Sequence, residues 1–256
     1  MSKKENEILH GEGWLKHFRK CMEKFSGSRY KYDVFTDFIQ LALDCFLSDH
    51  TPEHPREKQY MQIIGQYKKD EINLFCDMLG CVTGYTFETG KDCIGTLWEE
   101  YAAKSQLGQF FTPQCICEMM NLILFTKDVD WNSYSADNPC RISDPSCGAG
   151  RMLTTAFTSV PVEHRDKVFM HGIDIDGVVC KATALNMLLL DANSVIIHGN
   201  TLSLEVWNAY ETNRTGRGIA RIREITDKEF LKELITMSLM QDEKAPSKPT
   251  QMEFVF

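Results

Sequence analysis

The residues best placed to do chemistry form one run, Asp144-Pro145-Ser146-Cys147-Gly148-Ala149-Gly150, between the apolar strand-like Arg141-Ile-Ser143 and a helix beginning near Met152. Glycines at 148 and 150 permit backbone angles closed to other residues and let a ligand approach the main chain closely. Asp144 sets a carboxylate at the end of a strand, where open α/β sheets receive their ligands. Two more apolar runs end in the same way: Val168-Phe-Met-His-Gly-Ile-Asp174 and Ser194-Val-Ile-Ile-His-Gly-Asn200. A carboxylate such as Asp174 can accept from two vicinal hydroxyls of a ribose, and Asn200 offers the donor and acceptor that an adenine edge requires. Any one of the three could be a turn former. Polar groups at three successive strand ends point instead to a nucleoside-containing ligand. A nicotinamide-type G-x-G-x-x-G loop fits less well, because D-P-x-C-G-x-G carries an anchoring Asp and Cys.

These residues need a scaffold, and the chain spells one out. The order strand, helix, strand, helix (Val178 to Leu190), strand implies parallel pairing with right-handed crossovers. The expected fold is therefore α/β, a Rossmann-like sheet. Upstream, Asp33 to Leu47 carries a helical stripe of apolar residues, broken by two prolines between Thr51 and Pro55. Residues 56–80 resume a helical pattern closed by Gly80, residues 81–91 read as a loop, and Asp92 opens a further helix through Ile94, Leu97, Trp98 and Tyr101. In Leu107-Gly-Gln-Phe-Phe-Thr-Pro113, Thr112 suits an N-cap and Pro113 a first helical residue for Gln114 to Phe125. The adjacent Phe110 and Phe111 would suit a flat ligand. The expected organisation is a helical domain over 1–105, a ligand-binding sheet over 106–225, and a C-terminal helix with a tail over 226–256. Thr226-Asp-Lys-Glu229 reads as a capping box for that helix, with Phe230, Leu234 and Ile235 on its apolar face.

Composition narrows the class. A net charge of −8 argues against indiscriminate coating of nucleic acid. The exceptions are local: residues 1–31 hold eight Lys/Arg against four acids, and Arg214, Arg217, Arg221 and Arg223 cluster near the C-terminus. Either could meet phosphate or simply be a solvated face. The ten cysteines are scattered without a C-x-x-C pair, which favours free buried thiols. No metal-ligand spacing and no Ser/His/Asp arrangement stands out, so no metal is expected. His171 and His198 lie inside apolar strands and read as core residues. No apolar run approaches the roughly 20 residues of a membrane span, and a cytoplasmic protein is expected.

Taken together, the motifs resemble a known family. Asp92-x-x-Gly95-x-x-x-Glu99, Gly108-Gln-Phe-Phe-Thr-Pro113, Asp144-Pro-Ser-Cys-Gly-Ala-Gly150, Gly172-Ile-Asp-Ile-Asp176 and Gly199-Asn-Thr-Leu202 follow the order and spacing of the N6-adenine DNA methyltransferases. More narrowly they resemble the modification subunit of type I restriction systems. The resemblance implies S-adenosylmethionine as cofactor, with Phe111, Thr112 and Pro113 lining its pocket. The loop of Asp144, Pro145, Ser146, Cys147, Gly148 and Gly150 would hold the methionine part, Asp174 the ribose and Asn200 the adenine ring. It also implies DNA as partner, with specificity or restriction subunits. One part of the family pattern is absent. Members carry an Asn/Asp-Pro-Pro-Tyr/Phe motif after the fourth strand to hold the flipped base, and this sequence has no Pro-Pro pair. Asn138-Pro-Cys140 precedes the glycine loop and lacks the aromatic. With 54 residues after Leu202, the base-binding half of the sheet is expected to be missing or much reduced, and catalysis could be absent with it.

Overall fold

The computed structural model describes residues 9–25, 27, 29–102, 112–124, 129–239 and 252–253. Five helices come first: α1 (Glu12–Lys24), α2 (Lys31–Leu47), α3 (Pro55–Ile64), α4 (Lys69–Thr89) and α5 (Ile94–Tyr101). After α6 (Gln114–Leu124), the sheet begins with β1 (Cys140–Asp144), α7 (Arg151–Ser159), β2 (Val168–Asp174), α8 (Gly177–Leu189) and β3 (Ser194–Asn200). It closes with β4 (Glu205–Asn213), β5 (Arg221–Ile225), α9 (Lys228–Leu239) and β6 (Met252–Glu253).

The strand order is β5-β4-β3-β2-β1-β6. β1, β2 and β3 are parallel, with Asp144 level with Gly172 and Asp174 level with His198. The three polar strand ends therefore share one edge, as the motif spacing implies. The fold is the expected α/β methyltransferase-like sheet behind a helical N-terminal region. β4 and β5 were not legible in the sequence. β4 runs antiparallel to β3 and β5 antiparallel to β4, and β6 pairs in parallel with the opposite edge of β1.

Alternation along the strands divides the core. One face, with Ile142, Met170 and Ile196, packs under α7 and α8, and these in turn support α2, α4 and α5. The helical region and this face share one continuous apolar core. On the other face, Ile173, Val195, Ile197, Val206, Ala209 and Ile225 meet Leu231 and Ile235 of α9. His171 is a buried strand residue, as expected. Its Nδ1 lies 3.1 Å from Ser143 Oγ, and burial, with Arg141 nearby, pushes its pKa down to about 4.

Several local expectations need correction. The loop expected at 81–91 is helical through Thr89 and stops at Gly90 in the left-handed conformation (φ 65°). Gly84 sits there because the Trp14 ring of α1 packs against it: a Cβ would lie 2.8 Å from ring carbons. Within the basic N-terminal run, Glu12–Lys24 form an amphipathic helix seated on α4, with Arg19 paired to Glu100 at 2.9 Å. α6 starts at Gln114 rather than Pro113. At α9 the cap is Asp227, whose carboxylate accepts the N–H groups of Glu229 (3.1 Å) and Phe230 (3.2 Å), in place of Thr226. The buried stripe accordingly runs through Leu231 and Ile235, while Phe230 is 45% exposed.

Candidate functional site

The turn at 144–150 is held from every side. Cys147 N–H donates to Ile173 O (2.9 Å) on β2, and Gly150 N–H donates back to Cys147 O (2.8 Å). Thr183 of α8 donates to Gly148 O (2.7 Å), and Thr201 donates to Pro145 O (2.6 Å). Gly148 and Gly150 both take positive φ, 52° and 81°. A Cβ on Gly150 would sit 2.6 Å from Thr183, so the helix–sheet approach also requires glycine there.

This turn forms one wall of a cavity of about 480 Å3, within the roughly 300–1,000 Å3 usual for small-molecule sites. Thr112, Asp144, Ser146, Cys147, Gly148 and Asp174 line it, with Ile175 and Val179 as apolar floor. Of the other expected residues, Pro145 and Gly150 shape the turn without lining the cavity, and Pro113 is exposed at the head of α6. Phe111 lies outside the described residues. Asn200 is directed elsewhere: its Oδ1 accepts from Leu202 N–H (2.9 Å) and Ser203 N–H (3.3 Å), closing the β3–β4 turn.

Two carboxylates dominate the wall. Asp144 accepts Ser146 N–H at 3.0 Å, yet burial, reinforced by Asp174, pushes its pKa up to about 6. Among the described residues no cation pairs with it. Asp174 accepts Gly148 N–H (2.8 Å) on one oxygen and Asp176 N–H (2.9 Å) on the other, tying the turn to the end of β2. Burial raises its pKa as well. Each oxygen retains a lone pair for a ligand hydroxyl.

The facing wall comes from the N-terminal region, and sequence reasoning gave these residues no role. Gly95 and Glu99 of α5 line the cavity together with Arg151 of α7. Arg151 is almost fully buried, bonded to Glu99 and 3.7 Å from Asp92. Asp92 is a junction. It accepts from Gly95 N–H (2.7 Å), Asn186 Nδ2 (2.6 Å) and Thr154 Oγ1 (3.3 Å), joining α5 to α7 and α8. The D-x-x-G-x-x-x-E spacing was the available signal: Asp92 caps the turn into α5, and Gly95 admits that carboxylate, since a Cβ would lie 2.2 Å from it.

The arginine cluster lies elsewhere. β4 leaves the cavity edge at Glu205, opposite Asn200, and ends near Thr212, opposite Ser194. The β4–β5 loop with Arg214, Arg217 and Arg221 is thus at the far edge of the sheet.

A doubly supported glycine turn, acidic strand ends on one sheet edge and α/β crossovers define a methyltransferase-like domain. Residues 91–216 match the model of the N-6 DNA methylase family. The chain therefore carries a domain of the N6-adenine DNA methyltransferase family, a class that generally uses S-adenosylmethionine. No curated protein matches the chain.

Proposed function

We propose that the cavity binds S-adenosylmethionine and that the chain serves adenine-N6 methylation of DNA in a restriction-modification setting. The observation that carries this reading is Asp144, a carboxylate 2% exposed, facing a ligand-sized cavity without a cationic partner among the described residues. Such a group favours a ligand that brings positive charge, and the cofactor brings two, a sulfonium and an ammonium. Bound, it would supply an electrophilic methyl group.

The residues fit that role. Asp144 holds the cationic methionine portion, Asp174 offers its remaining lone pairs to the ribose, and Ile175 and Val179 give an apolar surface for the base. Glu99 and Arg151 provide a charge pair of fixed orientation for the zwitterionic end. DNA and partner subunits belong to the same proposal, with the family match as support.

A second reading has its own observation. The sequence contains no Pro-Pro-aromatic motif, which favours a cofactor-binding module without transfer. Calorimetry with S-adenosylmethionine tests the shared part, and absence of heat at millimolar ligand overturns both readings. Labelled cofactor with adenine-containing DNA then separates them. Transfer abolished in Asp144→Ala supports the enzyme, and binding without transfer, with or without added partner proteins, supports the module.

A further inference from the structure

We propose that His17, Cys21 and Asp77 form a binding site for a zinc-class divalent ion between α1 and α4. His17 and Cys21 are four residues apart on α1 and so lie on one face, a turn apart. α4 passes antiparallel to that face: Trp14 packs at Gly84 at one end, and Phe25 meets Phe75 with ring centroids 4.9 Å apart at the other. Asp77 falls between these contacts. One nitrogen, one sulfur and one oxygen from the three side chains lie within 4.8 Å of one another.

No hydrogen bond or ion pair occupies these side chains among the described residues, although neighbours such as Trp14 and Arg19 are engaged. Zinc bonds of about 2.0–2.3 Å place tetrahedral ligands roughly 3.5 Å apart, so closing the site needs movement of about an ångström. The donor set, imidazole, thiol and carboxylate, is the one such borderline ions take, and three protein ligands leave a fourth position for water. The sulfur comes from inside: Cys21 is fully buried, His17 half-buried and Asp77 exposed, which leaves an entry path from solvent. Cys81, one turn beyond Asp77 on α4, is nearly fully buried. Binding forms the sulfur–metal bond as the Cys21 S–H bond breaks, with one proton released to solvent.

The spacing escaped notice in the sequence because 56 residues separate Cys21 from Asp77, and a single H-x-x-x-C pair is an ordinary helical pattern. The site would staple the first helix to the fourth, and none of its three residues lines the cavity beside Asp144, so its loading is separable from any activity there.

The test titrates the full chain with cobalt chloride, then with zinc chloride. The expected result is one ion per chain, a thiolate-to-cobalt charge-transfer band, displacement by zinc and a raised Tm in the loaded protein. Asp77→Asn, at an exposed position, and His17→Gln should each weaken binding at least about 100-fold, the loss that even an outer-shell partner can cause. Both should keep the metal-free Tm, which guards against misfolding of the buried Cys21→Ser variant. No binding at micromolar metal overturns the proposal. Binding of equal affinity in Asp77→Asn and His17→Gln overturns it too, since the ion would then sit on other thiols such as exposed Cys76 or Cys115.

Discussion

Two buried titratable groups, Asp144 and His171, should impose pH slopes of opposite sign on stability over one and the same window. Asp144 has its pKa raised from 3.8 to about 6, so its contribution is fully present below 3.8 and is lost as pH rises through about 6. His171 has its pKa lowered from 6.5 to about 4, so its contribution is present above 6.5 and is lost as pH falls through about 4. Between about 4 and 6, the native state holds one proton more than the unfolded chain at Asp144 and one fewer at His171. The two slopes have opposite signs, each about 1.4 kcal/mol per pH unit, and the full excursions are about 3 kcal/mol apiece. Urea unfolding from pH 4 to 7 for the parent, Asp144→Asn and His171→Asn reads this directly. Asp144→Asn should gain up to about 3 kcal/mol over the parent at pH 7 and nothing near pH 4. His171→Asn should give the opposite tilt, its gain appearing only toward acid. Other buried carboxylates with raised pKa, Asp37 and Asp44, cancel in these differences. Difference curves that stay parallel to the pH axis would refute the assignment of either shift to burial.

Under the proposed function the same carboxylate would make cofactor affinity pH-dependent: the apparent Kd for S-adenosylmethionine should rise about tenfold per pH unit below about 6 as Asp144 takes a proton, and calorimetry at pH 5, 6 and 7 checks it. Asp92→Ala strips the buried Arg151 of one partner and leaves Asn186 and Gly95 without an acceptor, at a cost of roughly 3–5 kcal/mol in urea unfolding. Glu99→Gln, at a position 41% exposed, should cost less than about 1 kcal/mol; equal losses in the two variants would show that Asp92 is no junction. Finally, Gly80→Ala, with open space around its Cβ, should raise stability by up to about 1 kcal/mol. Gly84→Ala meets the Trp14 ring and should cost about 1–2 kcal/mol net of that gain, as thermal or urea unfolding will show.

The parallel half of the sheet was legible because each strand is a short apolar run ending in a polar residue that cannot continue it, at Asp144, Asp174 and Asn200. The antiparallel half was not. In β4, Trp207, Asn208 and Glu211 interrupt the apolar pattern, and its stability comes from pairing with β3 and from α9 covering one face. The helix over Lys69–Thr89 runs past Gly80, where a glycine normally ends a helix, and contains a second glycine, Gly84, demanded by a tryptophan 70 residues earlier in the chain. Of the site, the glycine turn was visible from local backbone needs alone. Arg151 was not, because a buried guanidinium reaching across helices leaves no periodic trace; Glu99 stood in the D-x-x-G-x-x-x-E spacing with no role attached. At Asn200 the strand-end position did not reveal that the amide oxygen closes the β3–β4 turn.

The family match starts at residue 91, but Arg56 of α3 reaches both Asp44 of α2 and Glu224 of β5, clasping the helical region to the outermost antiparallel strand. With α5 also supplying Gly95 and Glu99 to the cavity, the homologous segment and the cooperative folding unit have different boundaries. A fragment cut at the start of the match would lose the cover of α8 and leave Glu224 without its Arg56 partner. Expression limits for this protein are set by its shared core, reaching back to Glu12, rather than by where its sequence begins to look familiar.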